Sequence, residues 1–275
     1  MSVRVLGVPY DAQSSFLRGP AQAPAAVRRV LHCGSANYET ELGGDVHPDR
    51  WHDLGDLDIP DDAEQALAVI EQAARSASDG HRLLSIGGDH MITWPLVRGV
   101  RYHHRPLTIL HFDAHPDLYD NLDGNRFSHA CPFARIMEEG LAERLVQIGI
   151  RTLTGHQRDQ AARFDVEILE YRSWDRSLPD DLDGKLYVSI DVDALDPAFA
   201  PGVSHHEPGG MTTRELLNCL HQLAAGPVEV VGADVVEINP GRDVNDMTAM
   251  VGAKLVRELL GLMASDGGTD PVPGR

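Results

Sequence analysis

Three short segments carry acidic residues and histidines at spacings that suit a pair of metal ions: Gly87-Gly88-Asp89-His90, Asp113-Ala114-His115-Pro116-Asp117 and Asp191-Val192-Asp193. Alternate residues on extended backbone point to one side, so Asp113, His115 and Asp117 are expected to face a common point, as are Asp191 and Asp193. Carboxylates with an imidazole form a mixed oxygen and nitrogen donor set. It suits manganese, with zinc, iron, cobalt or nickel as further options, and it lacks the thiolates of a structural zinc site. Each segment alone also has a plain reading: a surface loop with scattered acids, turn caps beside Asp196-Pro197, or an isolated histidine after two glycines. The joint pattern is what points to chemistry. Carboxylates that bridge two cations make a site that activates water for attack on a polar, planar carbon.

Each segment follows a compact apolar run, Leu83-Leu84-Ser85-Ile86, Leu107-Thr108-Ile109-Leu110 or Leu186-Tyr187-Val188-Ser189-Ile190. Such runs read as strands buried on both faces of a parallel sheet, and open parallel sheets take ligands at their carboxyl ends. Further strands are expected at 3–8, 145–150, 167–169, 228–231 and 234–238. Helices are expected from Pro24 to His32, from Asp61 or Asp62 through Ile70 with Gly80 beyond the end, from Thr212 or Thr213 through Leu223, and from Asp246 to Leu262. This alternation predicts an α/β fold, a three-layer α-β-α arrangement with a mostly parallel sheet. Residues 1–264 read as a single domain, and the Gly-, Pro- and Asp-containing tail 265–275 as disordered.

The net charge of −18, from 42 acids against 24 bases, argues against nucleic acid and against an anionic membrane surface as partners. An acidic field of this size can attract a small cationic substrate. Cys33, Cys131 and Cys219 are too far apart for a disulfide framework or a Cys-x-x-Cys site. No basic segment followed by an apolar signal region opens the chain, and no apolar run is long enough to span a bilayer, so the expected compartment is the cytoplasm.

The three segments resemble the signature regions of the ureohydrolases, the arginases, agmatinases and relatives that hydrolyse a guanidino group to an amine and urea. The resemblance extends over nearly the whole chain, from Leu6 to Leu260, and is closest in pattern to the plant-type arginases. Ser14-Ser15-Phe16-Leu17-Arg18-Gly19-Pro20, Gly124-Asn125-Arg126-Phe127-Ser128-His129-Ala130, Asp196 to His205 and Met247-Thr248-Ala249-Met250-Val251 carry it further. It implies two manganese ions per subunit, with nickel open as the native metal. One ion would be held by His90, Asp113, Asp117 and Asp191, the other by His115, Asp113, Asp191 and Asp193, with Asp113 and Asp191 bridging. Pro116 and Ala130 stand where many agmatinases have threonine and glycine, in keeping with the plant-type branch.

The resemblance also assigns catalytic roles to three residues. His129 corresponds to a loop histidine that shuttles a proton to the leaving amine, a task suited to an imidazole. Glu237 corresponds to the carboxylate that grips the guanidinium through parallel N–H bonds. Asp117 would accept a proton from the attacking water. Read without the family, His129 is a helix-start residue ahead of Pro132, and Glu237 a strand-end acid balanced by Arg242 or Lys254. The implied partner is a small cationic guanidino substrate: L-arginine, agmatine, guanidinobutyrate or free guanidine. The groups that recognise its far end are sought among Asn121, Asp123, Asn125, Arg126, Ser128, His205, His206 and Glu207. Family members assemble as trimers or hexamers, so a homo-oligomer is expected. Metallophosphoesterases also use Asp-x-His around two metals, but their Gly-Asn-His segment is missing here. A non-catalytic sensor of arginine or polyamines predicts lost ligand residues, and none is lost.

Overall fold

The computed structural model describes residues 1–264; the tail 265–275, expected to be disordered, lies outside the described residues. Eight strands form one sheet: β1 (Val3–Gly7), β2 (Trp51–Asp56), β3 (Arg82–Ile86), β4 (Thr108–Phe112), β5 (Arg144–Ile148), β6 (Glu167–Leu169), β7 (Gly184–Asp191) and β8 (Val228–Val236). Their order across the sheet is β2-β1-β3-β8-β7-β4-β5-β6. Every pairing is parallel, so the mostly parallel sheet expected from sequence is wholly parallel. Between β3 and β4 the chain crosses a gap that β7 and β8 later fill. That places a topological switch at the centre, the position where α/β sheets form ligand crevices.

The helices are α1 (Ala23–Leu31), α2 (Ala63–Ala77), α3 (Thr93–Arg101), α4 (Pro132–Glu138), α5 (Gly155–Phe164), α6 (Thr213–Ala225) and α7 (Met247–Ala264). Successive strand residues feed opposite cores. Leu84, Leu110, Val146 and Val188 pack with α1, α6 and α7 on one face. Leu83, Ile109, Leu145 and Tyr187 pack with α2, α3 and α4 on the other. Asp62 caps α2 by accepting the Gln65 N–H at 3.0 Å, and Thr212 caps α6 in a reciprocal pair with Glu215.

Two strands differ from the sequence reading. The run 228–231 and most of the run 234–238 are one strand, β8, continuous through Gly232 and ending at Val236. A Cβ at Gly232 would meet the Tyr187 ring at 2.6 Å, so the missing side chain makes room for the neighbouring strand's aromatic. β2 was not anticipated because it is an edge strand with only Trp51 buried, and it lacks an apolar run.

The loop ahead of β2 is pinned to the helical layer by Glu41. Its carboxylate meets Arg214 of α6 at 3.0 Å and Lys254 of α7 at 3.1 Å, while its N–H donates to Glu258 at 3.1 Å. Hydrogen bonding from Arg214 is the main reason the Glu41 carboxyl is held down to about 2 from 4.5. Because the folded value lies below the unfolded one, this stabilisation is present above pH 4.5 and lost as the pH falls toward about 2. The pair is partly solvated, which limits its worth to about 1 kcal/mol or less. Urea unfolding followed from neutral pH into that window is expected to show a smaller acid-induced loss for Arg214→Ala than for the unaltered protein.

Candidate metal centre

The carboxyl ends of β3, β8, β7 and β4 lie side by side at the centre of the sheet, and each delivers part of one site. Simple strand alternation does not bring the donors together, contrary to the sequence reading. Past β4 the backbone leaves the extended form, and Asp117 takes a positive φ of 48°. Asp191 ends β7 and caps the single 3-10 turn of residues 192–194: its Oδ1 accepts from Asp193 N at 2.8 Å. The turn-cap reading of Asp191 therefore holds for one of its oxygens, while the other faces the site.

His90 sits at the bottom. Its Nδ1 lies 3.3 Å from Asp113 Oδ2, 3.1 Å from Asp117 Oδ2 and 3.3 Å from Asp191 Oδ2. The ring is held from behind by a buried chain that the sequence did not reveal. Ser189 Oγ donates to Asp234 Oδ1 at 2.7 Å, and His90 Nε2 stands 3.0 Å from the same Oγ. A hydroxyl has one hydrogen, so Nε2 is the protonated nitrogen and donates to Ser189. Asp234 is fixed in turn by Tyr187 at 2.7 Å and Thr93 at 2.9 Å. The Nδ1 lone pair is thus turned toward three carboxylate oxygens.

A second group adjoins the first. His115 Nδ1 lies 3.1 Å from Asp193 Oδ2 and 3.4 Å from Asp113 Oδ1. Asp113 accordingly offers one oxygen to each group. Its Oδ2 also accepts from His111 Nε2 at 2.8 Å, and Gln147 Nε2 donates to His111 Nδ1 at 3.0 Å, which orients the imidazole. His111 was passed over in the sequence because it is a polar residue in mid-strand. Asp191 Oδ2 is within reach of the His90 group, and its Oδ1 accepts the Asp193 N–H.

The residues fit a divalent pair. Bonds of about 2.1 Å to such an ion leave neighbouring ligand atoms about 3 Å apart, which is the spacing around His90 Nδ1 and His115 Nδ1. His90 Nδ1 is moreover buried without a hydrogen-bond partner among the described residues. The electrostatics agree. Burial, then the charges of Asp193 and Asp113, drive the Asp191 carboxyl well above the usual range. Burial pushes Asp193 up to about 6 against the pull of His115. Burial opposes a charge on His115, yet Asp193 and Asp113 outweigh it and lift the imidazole to about 12. Asp113 goes the other way: burial would raise it, but His111, His115 and His90 hold it well below the usual range. Buried carboxylates of which two, Asp191 and Asp193, draw protons are ones that cations would neutralise.

Above these donors lies a cavity of about 310 Å³ lined by Asp117, Asp191, Asp193, His115, Glu237, His129, Ser15 and His205, among others. Glu237 follows β8 with a φ of +65°, a conformation rare outside glycine and a mark of a constrained site. Its Oε1 accepts from His90 N at 2.9 Å and meets His129 Nδ1 at 2.8 Å, so neither Arg242 nor Lys254 is its partner. Glu237 Oε2 is buried and has no hydrogen-bond partner among the described residues. Asp89, another residue the sequence reading left aside, is wholly buried. Burial, then the charge of Glu237, raises it to about 7. It accepts from Gln13 N at 2.9 Å and Ser14 Oγ at 3.4 Å, anchoring the loop that carries Ser15.

Gly88 permits that anchoring, because a Cβ there would collide with the Tyr10 carbonyl that accepts the Asp89 N–H. Gly88→Ala is expected to cost about 1–3 kcal/mol, read as a lower midpoint in urea unfolding. An unchanged midpoint would show that the close approach is not required.

Of the residues proposed for the far end of the cavity, only His205 lines it. Arg126 is tied to Asp120 at 2.7 Å and Glu138 at 2.9 Å. Asn125 holds Gln13 at 2.9 Å, and His206 meets the Pro201 carbonyl at 2.7 Å. The far wall is instead Tyr119, Leu122, Thr152, Thr154 and Gln157. Thr152 and Thr154 come from the β5–α5 connection, which has no acidic or histidine signature in the sequence.

Comparison with known proteins now bears on this geometry. The model of the arginase family matches residues 1–261. The chain is 49% identical to the protein named "Arginase 1, mitochondrial" of Arabidopsis thaliana, over 94% of this chain and 80% of that one. It is 32% identical to an agmatinase of Bacillus anthracis, over 94% and 90%. The solved structure of an arginase from Medicago truncatula superposes with a TM-score of 0.88 at 45% identity, covering 95% of this chain and 87% of that one. The plant names overturn the cytoplasmic expectation, since the Arabidopsis and rice proteins are both called mitochondrial. The physical reason is that an organellar address is read from a segment that takes no part in the fold, so the composition of an enzyme body carries no compartment. With the match covering nearly every described residue and a His/Asp cluster at the centre of the sheet, the chain belongs to the arginase family of metal-dependent hydrolases that act on small guanidino substrates.

Proposed function

We propose that this protein hydrolyses L-arginine to ornithine and urea with two manganese ions, and that residues 1–264 form one catalytic domain of a homo-oligomer, a trimer or hexamer. The observation that carries the reading is Asp113, whose two oxygens belong to two adjacent donor groups. His90, Asp113, Asp117 and Asp191 would hold one ion, and His115, Asp113, Asp191 and Asp193 the other. When bound, the ions supply an activated water and offset the charge that develops as it adds to the guanidino carbon.

The chain's own residues do the rest. Glu237 Oε2, buried and unpartnered beside the cavity, accepts N–H bonds from the planar guanidinium and fixes its tilt. Asp117 borders both the His90 group and the cavity, so it can take the proton released as water adds. Burial opposes a charge on His129, but the charge and hydrogen bond of Glu237, with the charges of Asp117 and Asp89, together lift it to about 9, so it carries a proton at neutral pH for the departing amine.

The arginine assignment is supported by the 49% identity to a plant arginase against 32% to an agmatinase. Agmatine is the second reading, favoured by one feature: among the described residues, the cavity lining contains no lysine or arginine to meet a carboxylate. The test is urea release by protein loaded with manganese or with nickel, on L-arginine and agmatine side by side. Turnover of arginine with little of agmatine is expected. Turnover of agmatine alone overturns the substrate, faster turnover with nickel overturns the metal, and silence on both substrates with metal bound overturns the activity.

A further inference from the structure

Both ring nitrogens of His129 are occupied. Nδ1 meets Glu237 Oε1 at 2.8 Å, and Nε2 meets Ser15 Oγ at 2.8 Å. The Nδ1 hydrogen goes to the carboxylate, so a protonated His129 donates its second hydrogen to the Ser15 hydroxyl. That hydroxyl lines the cavity, and His205 Nε2 also stands 3.4 Å from it. The imidazole therefore has no free N–H to offer a substrate directly.

We infer that Ser15 is a catalytic residue through whose hydroxyl His129 passes its proton to the departing amine. This rests on the guanidino hydrolysis proposed above. In the step, the Ser15 O–H bond breaks as an N–H bond forms on the leaving nitrogen. The His129 Nε2–H bond breaks as the hydroxyl is restored, and the electron pair of the cleaved C–N bond stays on the amine. His129 ends neutral and is recharged by water at the cavity mouth, where Ser15 is exposed.

The surroundings fit that direction of transfer. Glu237, Asp117 and Asp89 face His129 with negative charge and favour its protonated form, although burial opposes it. His205 is shifted the other way, by burial and then by His129, and remains neutral. The loop that carries Ser15 is held in place at two further points. His129 N donates to Gln13 O at 3.2 Å, and Gln13 Oε1 accepts from Asn125 at 2.9 Å.

The test compares Ser15→Ala and Ser15→Thr on two substrates: the guanidino compound that the unaltered enzyme turns over, and its oxyguanidino analogue. The analogue's leaving group is an alkoxyamine, far less basic and less in need of a proton. Ser15→Ala is expected to lose about 10- to 100-fold in kcat on the guanidine, within the range for general acid catalysis, and clearly less on the analogue. Ser15→Thr restores most of the loss. Metal content and Tm, measured on the same preparations, are expected to stay unchanged. An equal loss on both substrates overturns the inference in favour of a loop-packing role, and so does no loss on either. No urea from the unaltered, metal-loaded enzyme would instead overturn the reaction itself.

Discussion

Asp113→Ala lowers kcat for urea release by at least about 10³-fold and leaves the protein short of metal at both positions. The argument is geometric. Asp113 is the residue whose Oδ2 joins the His90 group and whose Oδ1 joins the His115 group. Removing it takes a donor from each and leaves His111 aimed at nothing. Two-ion activation is worth several kcal/mol of barrier, and about 1.4 kcal/mol is a factor of ten in rate, so three decades is a conservative figure. Elemental analysis after dialysis, run beside the urea assay, checks both halves. A variant that keeps full activity without bound metal would falsify the two-ion reading.

Glu237→Gln lowers kcat/KM by about 10²- to 10³-fold. The carboxylate is buried, and truncating one member of a buried charge pair costs about 2–5 kcal/mol. Glutamine keeps the shape but presents a neutral amide to the guanidinium and to His129. The substitution also has a signature in pH. Against burial, Glu237 contributes most to raising His129 to about 9, ahead of Asp117 and Asp89. Without its charge the imidazole loses its proton at lower pH, so the alkaline fall in kcat moves toward neutrality. A lower rate with an unmoved alkaline limb would separate substrate binding from proton supply and assign Glu237 to binding alone.

The central strands were readable because fully buried parallel strands are continuous apolar runs, and Leu83 to Ile86 and Leu186 to Ile190 are of that kind. Their ends were readable because Asp and His directly after such runs have no packing role. What was hidden falls into two kinds. His111, Ser189 and Asp234 are polar groups inside strands, and nothing in a linear sequence shows that they align behind His90 on neighbouring strands. Thr152, Thr154 and Leu122 have no distinctive chemistry, so their place in the cavity wall depends on loop paths that composition does not encode. The alternation argument named residues that do converge in space, but by a route the backbone does not take. Asp117 turns into the site through a positive φ, and Asp193 through a 3-10 turn.

The arrangement of strands and loops has an evolutionary consequence. The His and Asp donors follow β3, β7 and β4, and Glu237 follows β8; these strands are also the heart of both cores, so drift there is penalised twice, in folding and in chemistry. The far wall is built from the connections at 119–122 and 152–154 and the first turn of α5, which contribute little to either core, and connections of this kind tolerate exchange. New substrate preferences therefore have a cheap route open to them: a few loop replacements re-size the chamber while the reaction centre is inherited intact.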